Sequence, residues 1–329
     1  MPSQIMAGQA QWLKMPNRRL PNSGQPQRSG NWNRARIITH GFVGGGYKDS
    51  SPWRNVNRTQ HSNDSTNNLG DKMGWNGSYI DGGHSDTYFY TFGLDNGYAG
   101  NNNDAWRMQM SNESGSNMQD TMQADKGDLG VFMDHHHQGQ NIYTMGGGTN
   151  HVDRFNMNNH SRSNAATTNS GGYVSSAQGR LRGWTSIDNA RTYYTFANNS
   201  WSTWSNGPGT DGWGKANSSY MGWFYMKNGG NCTTSIWKIN DYTGTQLTSW
   251  SVENSGEENY QMGSFKGYCL GHYNGAQNNN SYKMSYTSDT WSQGGNNMEP
   301  GGHNGMSSAG CGSAANFVNT SYGITPPSY

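Results

Sequence analysis

The chain has few of the residues that usually build a protein interior. Leu, Ile, Val and Phe together make up about a tenth of its 329 residues, a fraction that normally warns of disorder. Disorder, however, usually comes with high net charge and few aromatic residues. Here the net charge is +1 and aromatic residues make up 12%, with 13 Trp, 19 Tyr and 17 Met residues in the chain. Because each aromatic ring buries about 150–250 Å² and Met fills irregular gaps, we expect a folded protein with a Trp, Tyr and Met core.

Three further shortages argue against whole classes of protein. Charged residues make up 13% of the chain and nearly cancel, so nucleic acid is not an expected partner. No apolar run approaches the roughly 18 residues of a membrane span, and the N-terminus has no apolar segment of the secretory type. The three cysteines, Cys232, Cys269 and Cys311, form no CxxC pair, so we expect free thiols and no disulfide framework.

A six-residue pattern with a basic fourth position recurs about every 45 residues, a period typical of repeat architectures. The copies are QWLKMP (11–16), NVNRTQ (55–60), DAWRMQ (104–109), HVDRFN (151–156), TYYTFA (192–197), SIWKIN (235–240) and NSYKMS (280–285). An aromatic run ending in glycine, such as YFYTFG (88–93), precedes most copies, and its fourth copy is the degenerate WTSIDN (184–189). A third short run stands before that element and a polar run follows each copy. Four short strands in each repeat indicate the blade of a β-propeller.

The repeats predict an all-β propeller of seven four-stranded blades. Six complete repeats occupy residues 36–308. Segments 1–35 and 309–329 would each supply strands of the closing blade, so that the two termini share it. Such closure removes exposed sheet edges. The alternative is a six-bladed ring with an N-terminal arm.

The spacing resembles that of kelch-type propellers. Aromatic strands ending in glycine are followed by an aromatic-centred strand and, in the later repeats, by Trp204, Trp250 or Trp291 about ten residues on. Kelch rings serve mostly as binding scaffolds, so the resemblance implies a scaffold and no particular activity. The phrases GFVGGGYKDSSPWRNVNRTQHSNDSTNNLGD (41–71) and GGGTNHVDRFNMNN (146–159) also resemble Asn/Gly-rich propeller proteins in the virions of tailed phages, particularly marine cyanophages. That resemblance implies a virion component without a known enzymatic role.

Candidate catalytic and metal-binding residues do not form a constellation. His135, His136 and His137 would point to alternating faces of a strand or lie solvated in a turn, and no further ligand can be named for them. Glu257 and Glu258 are adjacent and point apart, so they make a poor acid–base pair. We therefore expect no catalytic, metal or cofactor site and no enzymatic activity. A propeller-fold enzyme, either a glycan hydrolase or a metal oxidase, is the least favoured class.

The basic positions and the loops have different expected roles. The alternation in DAWRMQ puts Trp106 and Met108 on one face and Arg107 on the other. We expect such Arg and Lys stems to lie between blades, stacked on Trp or Tyr or paired with Asp. The many N-x-S/T triplets are expected by chance in a chain so rich in Asn, Ser and Thr. The loops after the glycine-ended strands would share one face of the ring and form a contact surface. Their candidate contact residues are Tyr47, Trp53, Tyr98, Asn101, Tyr273 and Asn274.

Two functions remain as expectations. The first is a non-enzymatic virion structural protein, located in the virion, whose partners are tail, neck or fibre proteins. The second is a lectin-like receptor-binding module whose aromatic loops stack on host surface glycans.

Overall fold

A computed structural model gives the structure of the chain. It describes residues 40–45, 47–48, 51–52, 54–60, 62–74, 81–85, 87–93, 104–118, 129–134, 141–146, 149–167, 174–178, 182–187, 190–205, 216–218, 223–227, 235–240, 243–251, 257–261, 266–273, 277–285, 288–293 and 310–312. By its internal contacts the chain divides into two units, Met1–Ile37 with Phe317–Tyr329 and Ile38–Asn316. Every described residue belongs to the second unit. The expected boundaries at 35/36 and 308/309 stay predictions.

The described residues contain strands and turns and no helix. The strands are β1 (His40–Gly44), β2 (Tyr47–Lys48), β3 (Ser51–Pro52), β4 (Asn55–Gln60), β5 (Ser65–Asp71), β6 (Asp81–His84), β7 (Tyr88–Phe92), β8 (Ala105–Gln109), β9 (Ser114–Met118), β10 (Leu129–Asp134), β11 (Asn141–Gly146), β12 (Thr149–Asn156), β13 (Arg162–Thr167), β14 (Val174–Gln178), β15 (Arg182–Ile187), β16 (Ala190–Thr195), β17 (Ser200–Thr203), β18 (Ala216–Ser218), β19 (Trp223–Lys227), β20 (Ser235–Asn240), β21 (Gln246–Ser251), β22 (Glu257–Gln261), β23 (Lys266–Tyr273), β24 (Gln277–Ser285), β25 (Thr290–Gln293) and β26 (Gly310–Gly312).

Within the described ranges, these strands form six four-stranded antiparallel sheets and one two-stranded hairpin, β2-β3. Sheet 1 has the order β26-β1-β4-β5, sheet 2 β6-β7-β8-β9, sheet 3 β10-β11-β12-β13, sheet 4 β14-β15-β16-β17, sheet 5 β18-β19-β20-β21 and sheet 6 β22-β23-β24-β25. The all-β prediction is confirmed for this part of the chain, and the third strand of each sheet coincides or overlaps with a copy of the six-residue pattern. Sheets 2 to 6 each correspond to one sequence repeat, whereas sheet 1 also includes β26 from the C-terminal segment.

The first strands of the sheets contact one another in order. Strand β6 lies against β26 and β10, and β14 lies against β10 and β18. Strand β22 lies against β18 on one side and against β26 and β1 on the other. Sheet 6 therefore contacts sheet 1, as each earlier sheet contacts the next. We call each border between consecutive sheets a seam.

The apolar core lies in the seams, because the alternation of a strand sends neighbouring side chains to opposite faces. In β7, Phe89 packs with Phe42 of sheet 1, whereas Tyr90 packs with Ile142 and Phe155 of sheet 3. Similar clusters join sheets 3 and 4 and sheets 4 and 5. A fully buried side chain of this size contributes about 1.5–3 kcal/mol. The seams are thus the main source of stability among the described residues.

The expected core composition is confirmed in part. Trp106, Trp184, Tyr90, Tyr143 and several Met residues are buried, as predicted. Phenylalanine contributes more than expected, since Phe42, Phe89 and Phe92 also rank among the largest fully buried side chains. The predicted facing of DAWRMQ is confirmed: Trp106 and Met108 are 1% and 0% exposed, and Arg107 lies on the other face, partly buried.

The C-terminal strand β26 takes a different place from the predicted one. The sequence analysis assigned the strands of segment 309–329 to a closing seventh blade, shared with the N-terminus. In the structure, β26 pairs with β1, with Val43 opposite Cys311, and completes sheet 1. The other strands of the expected seventh blade, near 11–16 and 314–323, lie outside the described residues. The count of seven therefore stays a prediction.

Candidate functional site

The predicted contact loops are described in part. Tyr47 lies in β2, and its backbone pairs with Pro52 of β3, so the loop after β1 forms a hairpin of its own. Tyr273 ends β23 opposite Gln277 of β24. Both tyrosines lie where the second strand of a sheet leads to the third, on the neighbouring sheets 1 and 6. The remaining contact candidates, Trp53, Tyr98, Asn101 and Asn274, lie outside the described residues, as do His135, His136 and His137.

A recurrent left-handed residue lies in the turn between the third and fourth strands of every sheet. These residues are Asp64 (φ 60°), Glu113 (φ 56°), His160 (φ 59°), Asn199 (φ 53°), Gly244 (φ 71°) and Asp289 (φ 53°), for sheets 1 to 6 in order. Positive φ is uncommon outside glycine, and Asn, Asp and His tolerate it better than other residues. In five of the six sheets the residue stands six positions after the basic centre of the third strand. We call these six positions the turn residues.

Hydrogen bonds from the flanking residues hold several of these turns. In sheet 1, the backbone N–H of Ser65 donates to the side chain of Asn63 at 3.1 Å, and the Ser65 hydroxyl donates to the same oxygen at 2.7 Å. Sheets 2 and 3 repeat both bonds with their own Asn and Ser residues. Each N-x-S triplet is therefore a local turn motif, because an Asn side chain can replace a backbone acceptor. At these three positions the triplets have a structural role in the turn.

The turn residue of one sheet contacts the basic residue of the preceding sheet. Lys238 of sheet 5 donates to both carboxylate oxygens of Asp289 of sheet 6, each at 2.9 Å. Arg58 of sheet 1 pairs with Glu113 of sheet 2. We call such a contact, from the basic centre of one sheet to the turn residue of the next, a seam latch.

A seam latch is also present at two further seams. Arg107 of sheet 2 lies 2.7 Å from Nδ1 of His160 of sheet 3. Lys283 of sheet 6 lies 2.6 Å from Oδ2 of Asp64 of sheet 1. The second contact joins the last described sheet to the first across 219 residues of sequence. The same device thus recurs at the border between sheets 6 and 1.

Aromatic rings surround the latch cations, as the sequence predicted. The Lys238 ammonium lies 4.1 Å from the centre of the Trp223 ring, and its side chain is 14% exposed. The Arg107 guanidinium lies 4.8 Å from the centre of the Tyr88 ring. A cation above an aromatic ring gains about 0.5–2 kcal/mol, more as water is excluded. The prediction that the Arg and Lys stems stack on Trp or Tyr or pair with Asp is confirmed for Lys238, which does both, and for the stacking of Arg107 on Tyr88.

At the seam between sheets 4 and 5, the turn residue makes close packing contacts and, among the described residues, no charged contact. Gly244, the turn residue of sheet 5, accepts a hydrogen bond from the Trp204 indole N–H at 2.8 Å through its carbonyl. A Cβ at Gly244 would come within 2.5 Å of the Trp184 ring. Only glycine therefore fits this turn, for reasons of both space and backbone conformation.

In sheet 4 the corresponding cation lies on the second strand and not on the third. In sheets 2 and 5, a tyrosine of the second strand faces the basic residue of the third: Tyr90 faces Arg107, and Tyr225 faces Lys238. In sheet 4, Thr195 of the third strand faces Arg182 of the second. The Arg182 guanidinium lies 4.3 Å from the centre of the Tyr193 ring. The degenerate fourth repeat thus keeps a cation against an aromatic ring, with the two strands exchanging roles.

A small polar cluster links the first strands of sheets 2, 3 and 4. The backbone N–H of Val131 donates to Oδ2 of Asp81 at 3.0 Å and to Oγ of Ser176 at 2.9 Å. The Ser176 hydroxyl lies 2.9 Å from the Val131 carbonyl and 3.4 Å from Oδ2 of Asp81. These side chains therefore serve to hold neighbouring sheets together.

Three side chains at the seams have shifted pKa values. Burial raises the pKa of Tyr90 to about 12. Burial, followed by the charge of Arg107, lowers the pKa of His160. Burial, followed by the charge of Arg58, likewise lowers the pKa of His40, while Glu113 opposes that shift. Within the described ranges, no group of three or more His, Cys, Asp or Glu side chains is placed to hold a metal ion.

No protein-family model matches the chain, and no curated protein matches it either. In the described part of the chain, no helix has the length and hydrophobicity needed to cross a membrane.

Proposed function

We propose that this chain is a non-enzymatic structural protein of a virion, built as a closed, six-bladed, kelch-like propeller that docks on tail, neck or fibre proteins. The observation that supports a closed ring best is the contact between Lys283 and Asp64. It repeats, between sheets 6 and 1, the latch that Lys238 and Asp289 make between sheets 5 and 6. A ring whose last seam has the construction of its other seams has no unpaired end.

Six blades agree better than seven with the place of β26. That strand occupies the first position of sheet 1 and lies against both β6 and β22. An additional blade between sheets 6 and 1 would separate β22 from β26 and Lys283 from Asp64. We therefore favour the six-bladed ring, in which residues 1–35 form an arm outside the blades. Such an arm suits a protein that docks on neighbours.

The positions of the charged side chains support a role as a structural scaffold. At four seams an Arg or Lys contacts the turn residue of the next sheet. Asp81 accepts a backbone hydrogen bond between sheets. In each case the charged group joins two structural elements, which is the role expected in a rigid building block. The virion assignment itself rests on the resemblance of residues 41–71 and 146–159 to phage propeller proteins.

The experiment is to analyse purified particles produced from the genome that encodes the chain. We expect mass spectrometry to find the chain at a fixed copy number after high-salt washing, and cryo-EM to show a ring of six blades at a tail, neck or fibre position. A capsid protein and a non-structural protein of the same genome serve as positive and negative controls. If the chain washes off with the non-structural protein, the virion assignment fails.

The β2-β3 hairpin supports a second candidate, glycan binding by the contact loops. It gives the loop that contains Tyr47 a backbone structure of its own, and preformed loops lower the entropic cost of binding. The test is a host-glycan array with the native chain and with Trp53→Ala and Tyr98→Ala. Leu247→Ala is the matched control, because Leu247 is 51% exposed and lies in strand β21, which is none of the predicted contact loops. Binding that the two aromatic substitutions abolish and the control keeps would support this candidate; no binding to any glycan would remove it.

A further inference from the structure

The seam between sheets 2 and 3 differs from the other charged seams in its turn residue. Asp64, Glu113 and Asp289 present a carboxylate to the preceding sheet, whereas the same position in sheet 3 presents the imidazole of His160. The partner in the preceding sheet, Arg107, is basic, as in the other three seams. Since guanidinium stays charged at all ordinary pH values, this seam alone among these four joins a permanent cation to a group that titrates near neutral pH.

The geometry requires a neutral imidazole. A terminal nitrogen of Arg107 lies 2.7 Å from Nδ1 of His160 and 3.0 Å from Nε2. Because Arg donates only, at least one of the two ring nitrogens accepts from it and carries no proton. Nε2 also lies 3.3 Å from the Tyr90 hydroxyl. That hydroxyl in turn lies 3.5 Å from the Met157 carbonyl.

Among the described residues, none that contacts His160 supplies a compensating negative charge. Its ring stacks on Phe155 at 5.8 Å and meets the ring edges of Tyr88 and Tyr90 at 5.9 and 6.1 Å. Among the described residues that contact it, Arg107 is the one charged group. A second ring proton would remove the acceptor for Arg107 and place two cations in contact.

We propose that the contact between Arg107 and His160 is an acid-sensitive latch, so that protonation of His160 loosens the seam between sheets 2 and 3 while the carboxylate latches stay closed. Acid near pH 5 leaves Asp and Glu mostly ionised, so the seams closed by Asp64, Glu113 and Asp289 keep their ion pairs. The ring would open first at the seam between sheets 2 and 3, where the turn residue is a histidine.

The sign follows from the direction of the pKa shift. The folded protein holds the pKa of His160 below its ordinary value of 6.5, so the unfolded or locally opened chain takes up the proton first. Stability at this seam is therefore full above about pH 7 and falls as the pH drops through 6.5 towards the folded pKa. Below the folded pKa the loss is complete and becomes constant.

The chain itself supplies two matched substitutions. His160→Asn uses the residue type of Asn199, which adopts φ 53° at the same position of sheet 4. His160→Asp uses the type of Asp64 and Asp289, with φ 60° and 53°. Both residue types tolerate the left-handed turn. The Asn variant cannot titrate, and the Asp variant restores a carboxylate opposite Arg107.

The test is amide hydrogen exchange, read by mass spectrometry on peptides of 105–118 and 149–167, at pH 7.5 and 5.5. After correction for the intrinsic rate, we expect the native chain to lose protection in these peptides by up to about tenfold, the most that a group of ordinary pKa 6.5 can supply one pH unit below that value. Peptides of 235–251, at the carboxylate-closed seam, should change little. Both variants should keep their protection at pH 5.5.

His40 provides the remaining check. Its pKa is also lowered, with Arg58 as a contributor, so protonation of His40 would appear as a pH dependence of peptides of 54–74 that is the same in the native chain and in both variants. Equal pH dependence of peptides 149–167 in the native chain and in His160→Asp would overturn the proposal. If His160→Asn does not fold, the Asp variant alone decides between the two outcomes.

Discussion

The ammonium group of Lys283 lies 2.6 Å from Oδ2 of Asp64, although 219 residues separate the two in sequence. Lys283 is the basic residue in the third strand of sheet 6, and Asp64 is the turn residue of sheet 1. Lys238 and Asp289 hold the same two positions in sheets 5 and 6, with contacts of 2.9 Å. The contact between the last and first described sheets is therefore built like an internal one.

This pair should stabilise the fold measurably. The side chains of Lys283 and Asp64 are 31% and 19% exposed, so we expect a coupling free energy of about 1 kcal/mol, above that of most exposed pairs. The measurement is a double-mutant cycle of Lys283→Met and Asp64→Asn by urea unfolding. Asn preserves the shape of the side chain and tolerates the left-handed turn.

The control is the pair of Arg54 and Asp71, which lie 3.2 Å apart but are 45% and 58% exposed. Solvent screening should reduce its coupling free energy towards zero. If the two cycles give the same near-zero coupling, the contact between sheets 6 and 1 contributes nothing to stability, and the support it gives to ring closure is lost.

Two glycines with left-handed backbones should respond very differently to alanine. Gly70→Ala, at φ +80° with nothing within 4 Å of the added Cβ, should cost the left-handed penalty of about 1–2 kcal/mol. Gly244→Ala, at φ +71°, would also place its Cβ 2.5 Å from Trp184 and 2.6 Å from Trp204. Overpacking adds about 1–3 kcal/mol. Urea unfolding of both variants gives the difference, and equal losses would contradict the packing of the seam between sheets 4 and 5.

The strands were predictable because each short apolar run alternates and is bounded by turn residues. NVNRTQ and SIWKIN coincide with β4 and β20 from end to end. The turn residues were missed, although their signal was present. The triplets around Asp64, Glu113 and His160 each follow a basic centre at a fixed distance. Their common spacing from the basic residue, and not the triplet itself, distinguishes them from triplets that occur by chance.

Other features depend on geometry that no local pattern contains. The partner of Lys283 is a residue of the first repeat, and the sequence offers no reason to choose Asp64 among several Asp residues. The cation of sheet 4 is another example, because Thr195 breaks the basic pattern and its register partner Arg182 stands outside it. The place of β26 beside β1 likewise depends on how the sheets meet, which the count of repeats does not specify.

The indole N–H groups of the two tryptophans near the end of sheet 4 should contribute unequally to the free energy of unfolding. The Trp204 N–H donates to the Gly244 carbonyl at 2.8 Å. The buried Trp201 N–H has no acceptor among the described residues. Trp204→Phe should therefore cost about 1–2 kcal/mol more than Trp201→Phe, because a buried carbonyl loses its partner. Thermal unfolding of the two variants checks this, and a larger loss for Trp201→Phe would contradict the assigned bond.

Truncation distinguishes a six-bladed ring from a seven-bladed one. Removing residues 309–329 deletes β26, which pairs with β1 and lies against β6 and β22. The backbone groups of β1 that face β26 would lose their partners, and unpaired buried groups cost about 1–3 kcal/mol each. We expect this truncation to abolish the single cooperative thermal transition.

Removing residues 1–35 should leave that transition in place if the ring has six blades, since sheets 1 to 6 are composed of residues between His40 and Gly312. A seven-bladed ring predicts the reverse, because its closing blade would take a strand from 11–16. Calorimetry of both truncated chains beside the full chain separates the two cases. Loss of cooperativity in the N-terminal truncation, equal to that in the C-terminal one, would restore the shared seventh blade and overturn the six-bladed ring.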